Sequence, residues 1–361
     1  MADFIDISAW NPQPFVNTGG TRDKLLVQGP DQKFYFFKNS YRSKEGTYYR
    51  YEFWSEIIAY ELGTMFDLNI LRYDIAINDK KIGCLSRSMI ELDKEQLLEG
   101  GKYLTAMSNT FRPEQRGNQK LYTMQLINTA FAFYKFQSFI PDFLRMLVFD
   151  AIIGNGDRHQ DNWAFITEID QLTEEMIQTN EAFKKNKSGK YMSKVTRSLY
   201  EKVKRIFEVG SPQEFDQVVN KLSVFGKPEN IRFSPIYDSG SSLGRELEEA
   251  RIEQMLQQKI ELEAFAFRGK SEVHWDGKKL RHFDLLAKIL QEPDLRETLK
   301  KVGREMCSKF NTNAFQIALS GIDSMLPDEF LGYCIPASRK EFIFKVVTLR
   351  IEKLKELVSR G

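Results

Sequence analysis

The chain has 361 residues, with 52 Lys and Arg against 50 Asp and Glu, and its formal net charge of +2 sets up no global field toward nucleic acid or a membrane. An apolar fraction of 42% supports a real core, in one large domain or two ordinary ones. No apolar run reaches the roughly 18 residues of a membrane-spanning helix. Cys84, Cys307 and Cys334 lie far apart in no metal-type spacing and read as buried thiols. The N-terminus lacks the basic and apolar regions of a Sec-type signal. A cytoplasmic protein is expected, with export by a non-Sec route or translocation into a host cell left open.

In chain order, Asn11-Pro12-Gln13-Pro14 is extended and leads to the small-residue loop Asn17 to Lys24. Gly19 and Gly20, beside hydroxyl residues that include Thr21, would let backbone amides approach phosphate oxygens closely. Leu25 to Gln28 and Lys33 to Lys38 read as a hairpin around Gly29-Pro30-Asp31. Lys38 ends an aromatic strand. In phosphoryl-transfer enzymes of the kinase type, a lysine on the strand after the glycine-rich hairpin holds nucleotide phosphates.

Tyr51 to about Gly63 is expected to be a helix, with Trp54, Ile57, Ile58 and Leu62 on one face. Glu56, on a neighbouring face, is the candidate to pair with Lys38, and Glu52 competes for the role. Ile70 to Ile77 and Ile82 to Ile90 form a second hairpin. Residues 1–90 thus read as a β-rich nucleotide-binding lobe. Residues 91–361 read as a mainly helical lobe. Between them Ser88, Met89 and Ile90 stand where a hinge would contact an adenine base.

Gln125 to Phe136 and Pro141 to Ile153 are apolar helices. Gly154 and Gly156 then break the second of these, and a polar loop runs through Asn155, Asp157, Arg158, His159, Asp161 and Asn162 to Trp163. A polar loop between two buried segments is costly unless its groups are paired or used. An Asp with an Asn five residues later is the catalytic-loop spacing of phosphoryl transfer. Asp157 would orient the attacking hydroxyl and accept its proton, and the Asn162 carbonyl oxygen would bind a divalent metal.

Residues 167–221 form a basic insert, with nine Lys and Arg against one acid between Phe183 and Arg205. It reads as a solvated face rather than a nucleic-acid surface. Asp238 ends the strand-like stretch from Ile231 and precedes Ser239-Gly240-Ser241, the place of a second metal-binding carboxylate. His274 and His282 read as surface or packing residues. Ser338 to Val358 is an amphipathic helix carrying Ile343, Val347, Ile351, Leu354 and Val358.

Together these pieces resemble the HipA-like Ser/Thr kinases, and within them the CtkA-like branch. The resemblance is carried by Gly-Gly-x-x-x-Lys at Gly19 to Lys24 and by the strand ending in Lys38. It continues in Ser55-Glu56-Ile57-Ile58-Ala59 with Leu62-Gly63, then Gly-Asn-x-Asp-Arg-His-x-x-Asn-Trp at Gly154 to Trp163, then Pro235-Ile236-Tyr237-Asp238-Ser239-Gly240-Ser241. It covers most of residues 10–250 and departs at the basic insert. Phosphatidylinositol kinases carry a related Asp-Arg-His-x-x-Asn string, so a lipid or small-molecule kinase is the alternative, and an inactive kinase-like binding module a third.

The resemblance implies a two-lobed α+β protein-kinase-like fold with ATP in the cleft. It implies Asp157 as base, Lys38 on phosphates with Glu56 as partner, and Mg2+ on Asn162 and Asp238. His159, counted among the nucleotide-facing residues, would brace the loop. It further implies a protein substrate with Ser or Thr, a possible antitoxin or regulatory partner, and self-phosphorylation of the glycine loop at Thr18 or Thr21. No membrane association is expected, and nucleic acid is not an expected direct ligand.

Overall fold

The structure is a computed structural model that describes residues 2–13, 24–40, 46, 48–92, 94–108, 110–113, 115, 117–168 and 231–359. Thr18, Gly19, Gly20 and Thr21 lie outside the described residues, as does the insert from 169 to 230. The chain divides into two compact units. The first joins Met1–Met89, Phe139–Arg158 and Pro235–Gly361; the second joins Ile90–Ser138 and His159–Ser234.

Six strands of the first unit form one sheet: β1 (Phe4–Asp6), β2 (Asn11–Pro12), β3 (Leu25–Gln28), β4 (Phe34–Asn39), β5 (Asp74–Asn78) and β6 (Lys81–Arg87), in the order β1-β5-β6-β4-β3-β2. Only the β1–β5 pairing is parallel. The period-2 alternation of strands puts Val27, Phe37, Ala76 and Leu85 in one cluster with Ile7, against which Trp10 and Tyr35 pack. Helix α1 (Glu52–Met65) lies on β6 and buries Phe53, Trp54, Ile57, Ile58 and Leu62. The sequence pattern had the second hairpin starting at Ile70, but ladder pairing begins at Asp74. Ile70 instead makes an isolated parallel bridge to Ile236. Gly83 is where β6 passes closest to β4, since a Cβ there would stand 2.3 Å from the Lys38 carbonyl oxygen. A side chain at that point would push β4, and Lys38 with it, out of register.

The rest of this unit is helical, numbered along the whole chain. Helix α4 (Ile140–Ile153) starts with Pro141 in its first turn and is apolar on nearly all sides, so it is a core helix. It packs against α7 (His282–Ile289), α8 (Pro293–Lys309) and α10 (Ala337–Ser359). Helix α10 also covers α5 (Glu249–Gln257), α6 (Lys259–Arg268) and α9 (Thr312–Gly321), burying Phe342, Ile343, Val347, Ile351, Leu354 and Val358.

The second unit holds an antiparallel sheet of β7 (Glu95–Glu99), β8 (Ala164–Glu168) and β9 (Arg232–Phe233), with α2 (Gly100–Met107) and α3 (Met124–Phe133) beside it. Rings of Tyr103, Phe131, Phe136, Trp163, Phe165 and Phe233 pack at centroid distances of 4.5 to 6.2 Å. Strand β7 corrects the expectation of helix from Glu91 onward. Glu95-Gln96-Leu97-Leu98-Glu99 is a string of good helix formers, yet it pairs with β8, where Leu98 is buried. Tertiary pairing outweighs local propensity here. The expected strand from Ile231 to Asp238 shortens to Arg232–Phe233.

His274 and His282 are both buried. At His282 burial first, then the Arg350 and Lys279 charges, pull the imidazole pKa down to about 3. In the unfolded chain it titrates at about 6.5. Unfolded protein therefore takes up a proton below about pH 6.5 that the fold refuses until about pH 3, so this group's stabilisation is lost as pH falls through that window. The urea midpoint of the wild type should drop more between pH 7.5 and pH 5 than that of His282→Phe. Equal drops would show that His282 does not carry this dependence.

Candidate functional site

Strand β4 carries Lys38 at its C-terminal end, opposite Cys84 of β6, with the side chain turned to α1. Lys38 is 6% exposed. Its Nζ donates to Glu56 Oε1 at 2.6 Å and to Asp238 Oδ1 at 2.8 Å, and stands 4.0 Å from Glu52 Oε1. The other oxygen of Glu56 accepts the Ser239 N–H at 2.7 Å. Glu52, one helical turn earlier, meets Arg245 at 3.0 Å, and that guanidinium sits 4.5 Å over the Tyr49 ring. Sequence reasoning weighed Glu52 against Glu56 as alternatives; in the fold both face the lysine and Glu56 is the nearer. Arg245 went unnoticed, because an arginine after a small-residue turn carries no periodic signal.

Among the described residues, the carboxylates of Glu52, Glu56 and Asp238 meet the cations of Lys38 and Arg245. Asp238 is the most exposed of the three acids, its side chain 18% open against 0% for each glutamate. It sits at φ 55°, a left-handed conformation that Asp tolerates better than most residues. Cys84 and Tyr73, both buried next to this cluster, are held protonated by burial first and the Glu56 charge second.

The polar loop is built onto the end of α4. Gly154 caps the helix at φ 72°, with its N–H donating to Asp150 O at 2.7 Å. Asn155 donates through Nδ2 to Asp150 Oδ1 at 3.1 Å and accepts the Asp157 N–H at 3.1 Å. Arg158 is buried. It donates to Asp150 from Nε, at 3.0 Å to Oδ2, and from Nη2, at 3.0 Å to Oδ1, and reaches the Tyr237 carbonyl oxygen through Nη1. Burial alone would lower the Arg158 pKa, but Asp150 reverses that, so the guanidinium stays charged. Arg158 thus ties the loop to the segment entering Asp238. Asp157 is half-buried, and its Oδ2 accepts from Ser241 Oγ at 3.3 Å. Asp150 and Ser241 are polar residues that sequence reasoning gave no role. Ser241 was visible only as the last residue of the Asp238 motif.

Asn162 and His159 fall in the second unit. Asn162 is buried and its N–H donates to the His159 carbonyl at 3.0 Å. His159 Nδ1 accepts the Asp161 N–H at 3.2 Å, so the ring supports the turn. Ser88 and Met89 end the N-terminal segment of the first unit, where the Ser88 N–H donates to Phe34 O at 2.8 Å, and Ile90 opens the second unit. All three are partly exposed.

The Asp238 carboxylate fits a divalent cation that arrives with phosphate. No group of three or more His, Cys, Asp or Glu side chains among the described residues makes a cage. Within the first unit Asp238 offers a hard carboxylate oxygen, 18% open at its side chain. Mg2+ characteristically takes one or two protein oxygens, keeps several waters and shares substrate phosphates.

No protein-family model matches this chain. No curated protein matches it either. Among solved structures it is similar to the crystal structure of CtkA, a proinflammatory kinase of Helicobacter pylori. The TM-score is 0.66 and the identity 15%, over 99% of this chain and 97% of that one. It is also similar to a chain in the HipA, HipB and operator DNA complex of a Shewanella oneidensis MR-1 toxin–antitoxin system. There the TM-score is 0.42 and the identity 12%, over 97% of this chain and 67% of that one. The first likeness shows the fold: a kinase-like α+β architecture with a β-rich N-terminal part and a helical C-terminal part. No helix among the described residues is long and apolar enough to cross a membrane.

Proposed function

We propose that the protein is an ATP- and Mg2+-dependent phosphotransferase acting on Ser or Thr of a protein. The observation that carries this reading is the continuity of one polar network. Lys38 meets Glu56 and Asp238, Glu56 holds the Ser239 amide, and Ser241 donates to Asp157. These contacts support reading Lys38 as the phosphate-binding lysine, Glu56 as its orienting acid, Asp238 as a metal ligand and Asp157 as the base.

In this reading Asp157 orients the acceptor hydroxyl and takes its proton. Lys38 holds nucleotide phosphates, and Glu56 keeps its ammonium aimed. Gly19, Gly20 and Thr21 supply loop contacts to phosphate, while Ser88, Met89 and Ile90 face the adenine and His159 braces the loop. Asn162 and Asp238 hold Mg2+. When bound, the nucleotide and its metal supply the phosphoryl group and neutralise charge on its oxygens. Self-phosphorylation at Thr18 or Thr21 and an antitoxin-type partner belong to the same reading.

Incubation with labelled ATP and Mg2+, followed by mass spectrometry of protein substrates and of the chain itself, tests it. Label on Ser or Thr is the expected result; label only on lipid or small molecules overturns the protein-kinase assignment. Asp238→Ala and Asn162→Ala should each weaken Mg2+-dependent binding of an unhydrolysable ATP analogue in calorimetry. Asp238→Ala should do more, about tenfold or greater, because it removes a charge. Equal binding by wild type and Asp238→Ala in Mg2+ would remove Asp238 from the metal site.

A further inference from the structure

Helix α10 buries an arginine where its apolar stripe faces α4 and α6. Arg350 is 4% exposed. Its Nε donates to Ala266 O at 2.8 Å and its Nη1 to Ile152 O at 3.2 Å. Both acceptors are neutral carbonyls. Among the described residues Arg350 makes no ion pair, and Nη2 has no hydrogen-bond acceptor. Burial pushes the guanidinium pKa down to about 10, partly offset by the Glu246 charge. A guanidinium bonded only to neutral carbonyls, with Nη2 turned to the cavity side of Gly154, is poised for the oxygens of an anion.

The guanidinium lies against the turn that opens the polar loop. A Cβ on Gly154 would stand 2.5 Å from Arg350 Nη2. Beside it is a cavity of about 460 Å³ whose wall includes Asp157, Ser241, Arg245, Glu246, Arg268 and Arg350. Arg268 is exposed, lies 4.6 Å over the Phe265 ring, and makes no ion pair among the described residues. Arg245 is already matched by Glu52. Two guanidinium groups without a carboxylate partner therefore share a cavity with Asp157. Among the described residues of that wall, the exposed Glu246 is the one acid besides Asp157.

We propose that this cavity is a subsite for an anionic group, a carboxylate or a phosphate, carried by the acceptor polypeptide next to the hydroxyl residue that meets Asp157. The assignment of the acceptor rests on the phosphotransferase reading; the anion site does not. Guanidinium groups match the planar oxygens of carboxylate and phosphate with paired hydrogen bonds. The cavity exceeds what a lone inorganic anion fills and lies in the size range of sites for larger ligands. Asp157 and Ser241 on the same wall mean that whatever fills it also reaches the proposed base. Glu246 tempers the attraction and would disfavour chains that are acidic throughout.

The test uses the full chain and two readouts. The first is a peptide array with a central Ser or Thr, each flanking position being Ala, Glu, phosphoserine or Lys in turn. One flanking position should favour Glu and phosphoserine over Ala by about tenfold in KM, and disfavour Lys. Arg268→Ala and Arg350→Met should collapse that ratio to about twofold, and Glu246→Gln should widen it. The second readout is calorimetric titration with inorganic phosphate, without nucleotide. Arg268→Ala, a surface change that spares the core, should weaken it about tenfold.

Phosphorylation without any acidic preference overturns the subsite and leaves the phosphotransferase reading standing. Phosphate binding that depends on Arg268 while no peptide is phosphorylated overturns the acceptor as the source of the anion. Phosphate binding indifferent to both Arg268 and Arg350 overturns the anion site itself.

Discussion

Asp157→Ala should lower phosphoryl transfer by about 10³-fold, within the range a positioned base supplies, while the protein stays folded. The side chain is half-buried and accepts a 3.3 Å hydrogen bond from Ser241, a contact whose loss costs about 1 kcal/mol of stability. The loop is anchored elsewhere, by Asn155 and Arg158 on Asp150, and those anchors survive the substitution. Binding of an ATP analogue should therefore change little. Single-turnover kinetics with calorimetry separates the two effects. Turnover within tenfold of wild type would remove Asp157 from the base position, because a tenfold loss is only about 1.4 kcal/mol of transition-state stabilisation. Asp157→Asn is the sharper variant. It keeps the shape and an oxygen for Ser241 but cannot take a proton, so it should be about as inactive as the alanine form.

The elements that sequence reasoning placed well are those whose pattern is local. Helix α4 is apolar from Phe143 to Ile153 except at Arg145 and Asp150, and ends at a glycine with positive φ. Helix α10 repeats its apolar residues at three- and four-residue steps. The β3–β4 and β5–β6 hairpins have turn residues between alternating strands. The misreadings came where partners distant in sequence decide. Glu95 to Glu99 is a strand only because β8 lies beside it, and Ile70 leaves its expected strand to meet Ile236.

The same division runs through the candidate site. The Asp157 to Asn162 spacing is visible in six consecutive residues. That Lys38 touches both Glu56 and Asp238 depends on segments 18 and 200 residues away from it. Arg158 had a sequence signature but its partner did not, since Asp150 looks like one polar slip in an apolar helix. Arg350 was harder still. On an amphipathic helix an arginine reads as solvated, and only the packing of α10 on α4 and α6 turns it inward.

Glu56→Gln should cut turnover by about 100-fold, nearly as much as Lys38→Ala, although Glu56 would touch no substrate. Gln keeps an oxygen for the Ser239 N–H, so the loss isolates the charge that holds Lys38. With that charge gone, the ammonium keeps Asp238 at 2.8 Å as its near partner and Glu52 at 4.0 Å as the distant one. It should then swing toward Asp238, away from the nucleotide phosphates and onto the proposed metal ligand. Two functions fail together, which is why a neutral isostere should be so damaging. Because the two residues act through one contact, Lys38→Ala with Glu56→Gln should be little worse than Lys38→Ala alone, leaving about 2 kcal/mol or more of coupling in the cycle. Stability should behave differently. Lys38→Ala removes the cation that Glu56 and Asp238 both bond and should cost about 3 kcal/mol or more, and the double variant should recover part of that by removing one of the two acids. Turnover losses that simply add, together with stability that the second substitution does not restore, would show that Glu56 does not orient Lys38 and would shift that role to Glu52.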